Sequence, residues 1–182
     1  RGRLRVGLVV FVPLVLILLF LLSSVATKRL TQGVDEMLDY KQEKNITSMG
    51  IRMLMWTNTA QLIRERPVFG YGLGGLKEAY REKVKGVSGW EGVVIDDPHN
   101  QYLKVTAELG LVGLLVFLGF IGSFLWQRVS GVDRVLGLGV LLAWCATSLF
   151  SGHFSTAGEG RFLMFWCGAQ FALVRSIFSN DE

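Results

Sequence analysis

The feature that most constrains this chain is the spacing of its apolar runs around one long polar stretch. Four runs, at 6–24, 109–126, 135–150 and 162–178, approach the roughly 17–25 apolar residues that a helix needs to cross a bilayer. Most charges fall between Lys28 and Glu108, in the polar stretch between the first run and the second. The expected fold class is therefore all-α: a polytopic α-helical membrane protein fragment with four transmembrane helices and one large helical loop. Its expected organisation is a transmembrane helix over 1–24, a loop domain over 25–102, and three helices with short connections over 103–182. Pro13 reads as a tolerated kink in the first span, and Arg175 as a side chain that snorkels to the interface. There is no initiator Met and the chain runs almost at once into an apolar span, so it reads as the C-terminal part of a longer membrane protein. Arg1, Arg3, Arg5, Arg128, Arg134 and Arg175 bias the short segments to the inside, which puts 25–102 and 151–161 on the outer face.

Composition narrows the chemistry. The chain is 51% hydrophobic with mean hydropathy +0.40 and net charge +4. The basic residues are interleaved with acids, so a nucleic-acid partner is not indicated. Cys145 and Cys167 both fall in apolar runs, where thiols act as small hydrophobes. The polar stretch contains no Cys, which excludes a disulfide framework and a thiolate zinc site there.

Within the polar stretch the periodicity predicts helices. Thr47 or Ser48 can cap one that begins near Met49, with Ile51, Leu54, Met55, Leu62 and Ile63 as its apolar stripe. Pro67 and the run Gly70-Tyr71-Gly72-Leu73-Gly74-Gly75 stop it. A second helix is expected over 76–85. Asp97 reads as the N-cap of a third, with Pro98 at its first position.

Several residues could carry chemistry. His99 stands at the mouth of a membrane helix, near the positive end of its macrodipole, which favours the neutral ring. A neutral imidazole there could act as general base toward a hydroxyl; the alternative is a capping or packing histidine. Arg52 lies off the apolar stripe, and its planar fork suits diphosphate oxygens. Arg64 and Arg66 are further candidates, or simply part of a solvated helix face. The glycine run lacks the Lys-Ser/Thr that completes a P-loop, so it reads as a tight turn permitting close approach. Asp96 and Asp97 have only His99 nearby, too few ligands for a dedicated metal site. His153, Glu159 and Arg161 share an expected face with His99, as site residues or as interfacial anchors. Lys104 and Glu108, one helical turn apart, can pair. Asn45-Ile46-Thr47 matches a glycosylation sequon, a short pattern that often occurs by chance.

Four segments taken together carry a resemblance: Arg52-Met53-Leu54-Met55-Trp56; Arg66-Pro67-Val68-Phe69-Gly70-Tyr71-Gly72; Pro98-His99-Asn100-Gln101-Tyr102-Leu103; and Ala107-Glu108-Leu109-Gly110-Leu111-Val112-Gly113. In order and spacing, from Arg52 to Phe120, the chain resembles the O-antigen ligase and O-antigen polymerase superfamily of bacterial lipid-linked glycan transferases. That resemblance implies a multi-pass protein of the bacterial inner (cytoplasmic) membrane with its large loop on the periplasmic side. It implies a metal-independent, inverting glycosyltransferase that moves a glycan from undecaprenyl diphosphate to an acceptor hydroxyl in lipopolysaccharide or surface polysaccharide biosynthesis. The implied partners are the lipid-linked donor, a glycolipid or glycan acceptor and the bilayer, with no cofactor and no nucleic acid. His99 then corresponds to the family's catalytic histidine and Arg52 to its diphosphate-binding arginine; Arg66 and Asn100, within the matched segments, and Arg161, on the same expected face, are read as further substrate-binding residues. A further family arginine belongs to an earlier loop, so this stretch alone is expected to be inactive. A repeat-unit polymerase of the same superfamily is the alternative. Outside that class, the alternative is a non-enzymatic membrane protein with an extracytoplasmic binding domain. Transporters place ionisable residues near the bilayer midplane, and the apolar runs here are almost free of them.

Overall fold

A computed structural model describes residues 22–43, 47–124, 131–153 and 156–179. Among these residues the chain is helical: α1 (Ser24–Glu43), α2 (Ser48–Glu65), α3 (Leu76–Lys83), α4 (Gln101–Ser123), α5 (Gly131–Thr147) and α6 (Ala157–Ser179), with a 3-10 turn at Gly89–Gly92. The chain divides into two compact units, one of 1–53 with 130–136, the other of 54–129 with 137–182.

In the first unit, α1 is a largely exposed helix: Leu30, Val34 and Leu38 all face outward. Thr47 caps the start of α2, its hydroxyl accepting from the Gly50 N–H at 3.0 Å, and the Met49 N–H donates to the Glu36 carboxylate at 3.3 Å. The cap is the one expected from the Thr-Ser pair ahead of the apolar stripe.

The second unit holds two apolar clusters. Leu62, Leu76, Tyr80, Val84, Ile95 and Ala107 form one, where α3 packs between the end of α2 and α4. Asn58 donates to the Tyr80 hydroxyl at 3.0 Å and so satisfies its buried polar tip. Phe124, Leu141, Trp144, Leu163 and Cys167 form the other, between α4, α5 and α6.

The two glycine-bearing segments interlock. α4 breaks at Gly110, whose φ of 69° and ψ of −168° lie outside any helix. At the break the Ala107 and Glu108 carbonyls accept from the Tyr71 and Gly72 N–H groups, at 2.9 and 2.8 Å. In return the Leu111 and Val112 N–H groups donate to the Pro67 and Val68 carbonyls, at 2.8 and 3.3 Å. The turn after α2 thus replaces the hydrogen bonds that the broken helix cannot make for itself, as a break in an apolar helix requires. The backbones come so close that a Cβ at Gly110 would overlap the Val68 carbonyl, and one at Gly70 would crowd the Ala107 and Glu108 carbonyls.

The expectation of four transmembrane helices is corrected. Among the described residues one helix, α4, is long and apolar enough to cross a membrane. The apolar part of α5 is confined to Arg134–Thr147, short of the roughly 17–25 residues a span requires. α6 has the length, but Glu159 and Arg161 near its start and Arg175 near its end leave an uncharged stretch, 162–174, shorter than the roughly 17–25 residues a span requires. The first expected span falls almost wholly outside the described residues, as does Asn45 of the sequon. The multi-pass inner-membrane placement with a large periplasmic loop is corrected with the span count.

Candidate functional site

The site is assembled around the strap that leads into α4. Its helix does not begin where the sequence suggests. Asn100, not Asp97, is the N-cap: its side chain accepts from the Leu103 N–H at 3.0 Å, and its φ of −153° and ψ of 111° are extended. Asp97 instead folds its carboxylate onto the His99 N–H, at 2.7 Å. His99 is the one non-glycine with positive φ among the described residues, at 53°. It is exposed, while Pro98 before it and Asn100 after it are buried.

Each neighbour of His99 is tied to another element. Trp56 of α2 donates its indole N–H to the Pro98 carbonyl at 2.9 Å and packs its ring on Phe150 at 5.8 Å. Asn100 donates from Nδ2 to the Leu149 carbonyl at 3.1 Å, and the Gln101 N–H to the Ser148 carbonyl at 2.9 Å. The Tyr102 hydroxyl donates to the Cys145 carbonyl at 2.9 Å. Gly152 lies directly against the Asp97 carboxylate. The segment after α5 is therefore the wall against which the His99 strap is set.

At the next residue, a second cluster appears. His153 Nδ1 stands 2.5 Å from the Glu159 carboxylate and its Nε2 stands 2.8 Å from the Thr147 hydroxyl. Its ring lies 5.5 Å from that of Trp144. The expected shared face of His153 and Glu159 is thus a direct pairing, closing the connection between α5 and α6. Thr147 completes it, and sequence reasoning did not single it out. Its spacing of six residues from His153 matches no helical period, and the turn at 148–153 makes the contact.

Below the strap, α4 borders an open apolar groove of about 700 Å³. Leu109, Val116, Phe117, Phe120 and Met164 line its length, and Gln101, Lys104 and Glu108 its polar end. Lys104 also reaches back to Asp97, with Nζ 3.9 Å from the carboxylate.

The remaining sequence candidates are spread more widely. Arg66 is exposed, its guanidinium 4.8 Å over the Tyr71 ring. The Tyr71 hydroxyl donates to Glu65 at 2.7 Å. Its pKa is pushed up to about 12, by burial first and then by the Glu65 carboxylate, with Arg66 opposing. Arg161 is exposed on the second turn of α6, beside a shallow cavity of about 410 Å³ lined also by Thr156, Gly160 and Met164. Arg52 is half-buried on the first turns of α2, in the first unit. Both polar atoms of the Asn100 side chain are engaged within the protein, one in the cap and one on Leu149.

The sequence model of the O-antigen ligase family matches residues 1–118, which includes the interlocked glycines, the His99 strap and most of α4. The chain belongs to the O-antigen ligase family. Relatives are similar over the same order of length: an uncharacterised protein of Haemophilus influenzae is 32% identical over 93 residues, covering 50% of this chain and 23% of that protein. A putative polysaccharide ligase of Rickettsia conorii is 32% identical over 87 residues, covering 46% and 21%. Another, of Rickettsia felis, is 31% identical over 80 residues, covering 42% and 19%. The chain thus spans about a fifth of the length of the curated relatives it matches. His153, Glu159 and Arg161 lie beyond the residues matched to the O-antigen ligase family.

Proposed function

We propose that this chain forms part of a membrane glycosyltransferase that moves a glycan from a polyprenyl diphosphate, undecaprenyl diphosphate in bacteria, to an acceptor hydroxyl. The observation that carries the reading is His99: an exposed imidazole held in a left-handed backbone between two buried residues, two positions before Gln101 at the polar end of the groove. Backbone strain of this kind persists where the surroundings over-determine it, and such positions cluster at functional sites.

In the proposed reaction the acceptor oxygen attacks the anomeric carbon of the donor sugar. His99 takes the hydroxyl proton as that bond forms. The bond from the anomeric carbon to the phosphate oxygen breaks, its electron pair leaves with the diphosphate, and the configuration inverts. The charge that grows on the leaving diphosphate calls for fixed cations. Arg52, Arg66 and Arg161 are the candidates for that role, and Asn100 serves by shaping the strap. The apolar groove along α4 suits the first units of the lipid tail. No step as written requires a metal. The ligase form is favoured over the polymerase form because two relatives are described as putative polysaccharide ligases.

The test is transfer by the whole protein reconstituted in liposomes, supplied with an undecaprenyl-diphosphate-linked oligosaccharide and a lipid A–core acceptor, with chelator present. His99→Ala should lower the rate about 10²–10⁴-fold, the usual contribution of a general base. Arg52→Ala should weaken donor binding and also lower the rate at saturating donor, because the charge it meets grows as the diphosphate leaves. Near-normal transfer by folded His99→Ala would refute the assignment.

A further inference from the structure

His99 is useful only where its ring is aimed, and its aim is set by a backbone conformation that a residue with a β-carbon does not hold unaided. We propose that Asp97 is the positioning residue for His99, and that Gly152 provides the seat for its carboxylate. The inference rests on the reading of His99 as the base and adds the device that fixes its geometry.

The strap has several ties, but they differ in what they hold. Trp56 holds the Pro98 carbonyl, Asn100 caps α4 and reaches Leu149, and Gln101 is pinned to Ser148. All of these act on neighbours. The bond from the His99 N–H to Asp97 Oδ1, at 2.7 Å, is the hydrogen bond made by His99 itself. It closes a two-residue turn over Pro98, whose own φ is restricted by its ring. A charged acceptor makes that bond short and strong.

The carboxylate is in turn held from two sides. Lys104, one turn into α4, stands 3.9 Å from Oδ2, and both side chains are largely shielded, at 17% and 19% exposure. On the other side is the Gly152 backbone. A Cβ there would meet all three terminal atoms of the Asp97 side chain, Oδ2, Cγ and Oδ1, and nothing nearer. The absence of a side chain at 152 is therefore matched to one group, the carboxylate that holds His99. Helix capping, the obvious use of an Asp at this point in the sequence, is already performed by Asn100.

If Asp97 acts through His99, its loss should fall on the chemical step and not on the donor. Freed from the turn, His99 relaxes toward negative φ and its ring swings away. A displacement of about 1 Å at a reacting group can cost about 10²-fold in rate. In the whole protein reconstituted in liposomes, with the undecaprenyl-diphosphate-linked oligosaccharide as donor, Asp97→Ala should lower kcat about 10- to 100-fold with donor KM within about twofold. Asp97→Asn keeps an oxygen acceptor in place and should recover most of that loss. Gly152→Ala should reproduce the defect, since the new methyl displaces the carboxylate. The double variant Asp97→Ala/Gly152→Ala should be no slower than Asp97→Ala, because the group that the methyl strikes is gone. A general structural role would show as additive losses and no rescue by Asn, and that pattern would overturn the inference. So would full activity in Gly152→Ala. Should Asp97→Ala fail to fold, Gly152→Ala and Asp97→Asn carry the test alone. His99→Ala run in parallel separates the two ideas: if it is active, the base assignment fails. If it is inactive while both Asp97→Ala and Gly152→Ala retain normal kcat, only the positioning role fails.

Discussion

Gly110→Ala attacks the interlock at its tightest point. Gly110 sits at φ 69° and ψ −168°, a region that only glycine occupies without strain. An alanine there pays about 1–3 kcal/mol for the conformation alone. Its methyl would also overlap the Val68 carbonyl and press on the Phe69 N–H, so the 67–72 turn must move. The bonds from Leu111 to Pro67 and from Val112 to Val68 are the first to be lost. At about 1 kcal/mol each they add roughly 2 kcal/mol. The total, about 3–5 kcal/mol, is a large fraction of the roughly 5–15 kcal/mol that holds a typical domain together. For a chain of this size it corresponds to a midpoint lowered by roughly 6–20 °C. The assay is thermal unfolding of the purified protein in detergent, with amide exchange read at Leu111 and Val112. Gly119→Ala is the internal control: it lies in the same helix with nothing within 4 Å of the new methyl. That substitution should leave the midpoint unchanged or slightly raised, by helix propensity. If Gly110→Ala unfolds no earlier than Gly119→Ala and its two amides stay protected, the interlock is not what stabilises the broken helix.

Two further outcomes follow from the same structure. His99→Gly should abolish transfer yet unfold later than His99→Ala, by about 1–2 kcal/mol, because glycine removes the left-handed strain; equal midpoints would deny that the strain exists. Tyr71 has its pKa raised from 10.0 to about 12, so the stability it contributes is fully present below pH 10 and is lost as pH climbs through 12. An absorbance titration of wild type minus Tyr71→Phe should show the missing phenol ionising near pH 12; ionisation near 10 would contradict the burial and the Glu65 bond.

Local chemistry along the chain was enough to place much of this protein. Thr47 at the start of α2, Pro67 and the glycines at its end, and the helix from Leu76 onward are each specified by interactions within a turn or two. The apolar run of α4 identified the one described helix able to cross a membrane, and four short segments in the right order identified the O-antigen ligase family. The count of spans went wrong because hydropathy along a run ignores the length the helix attains in space and the polar residues near its ends. Capping failed in an instructive way. Asp97, Asn100 and the residues between them all carry local signals for a helix start, and a sequence window cannot choose among them. Contacts 42 to 55 positions away decide it: Trp56 on Pro98, Leu149 on Asn100 and Gly152 on Asp97. The mutual hydrogen bonding at Gly70 and Gly110 is likewise decided by segments far apart in sequence, whereas the pairing of His153 with Thr147 and Glu159 spans six residues on either side and depends on the turn after α5. Local pattern prescribes which groups need partners. Only the folded chain brings those partners to them, because close packing of distant segments fixes which backbone groups meet.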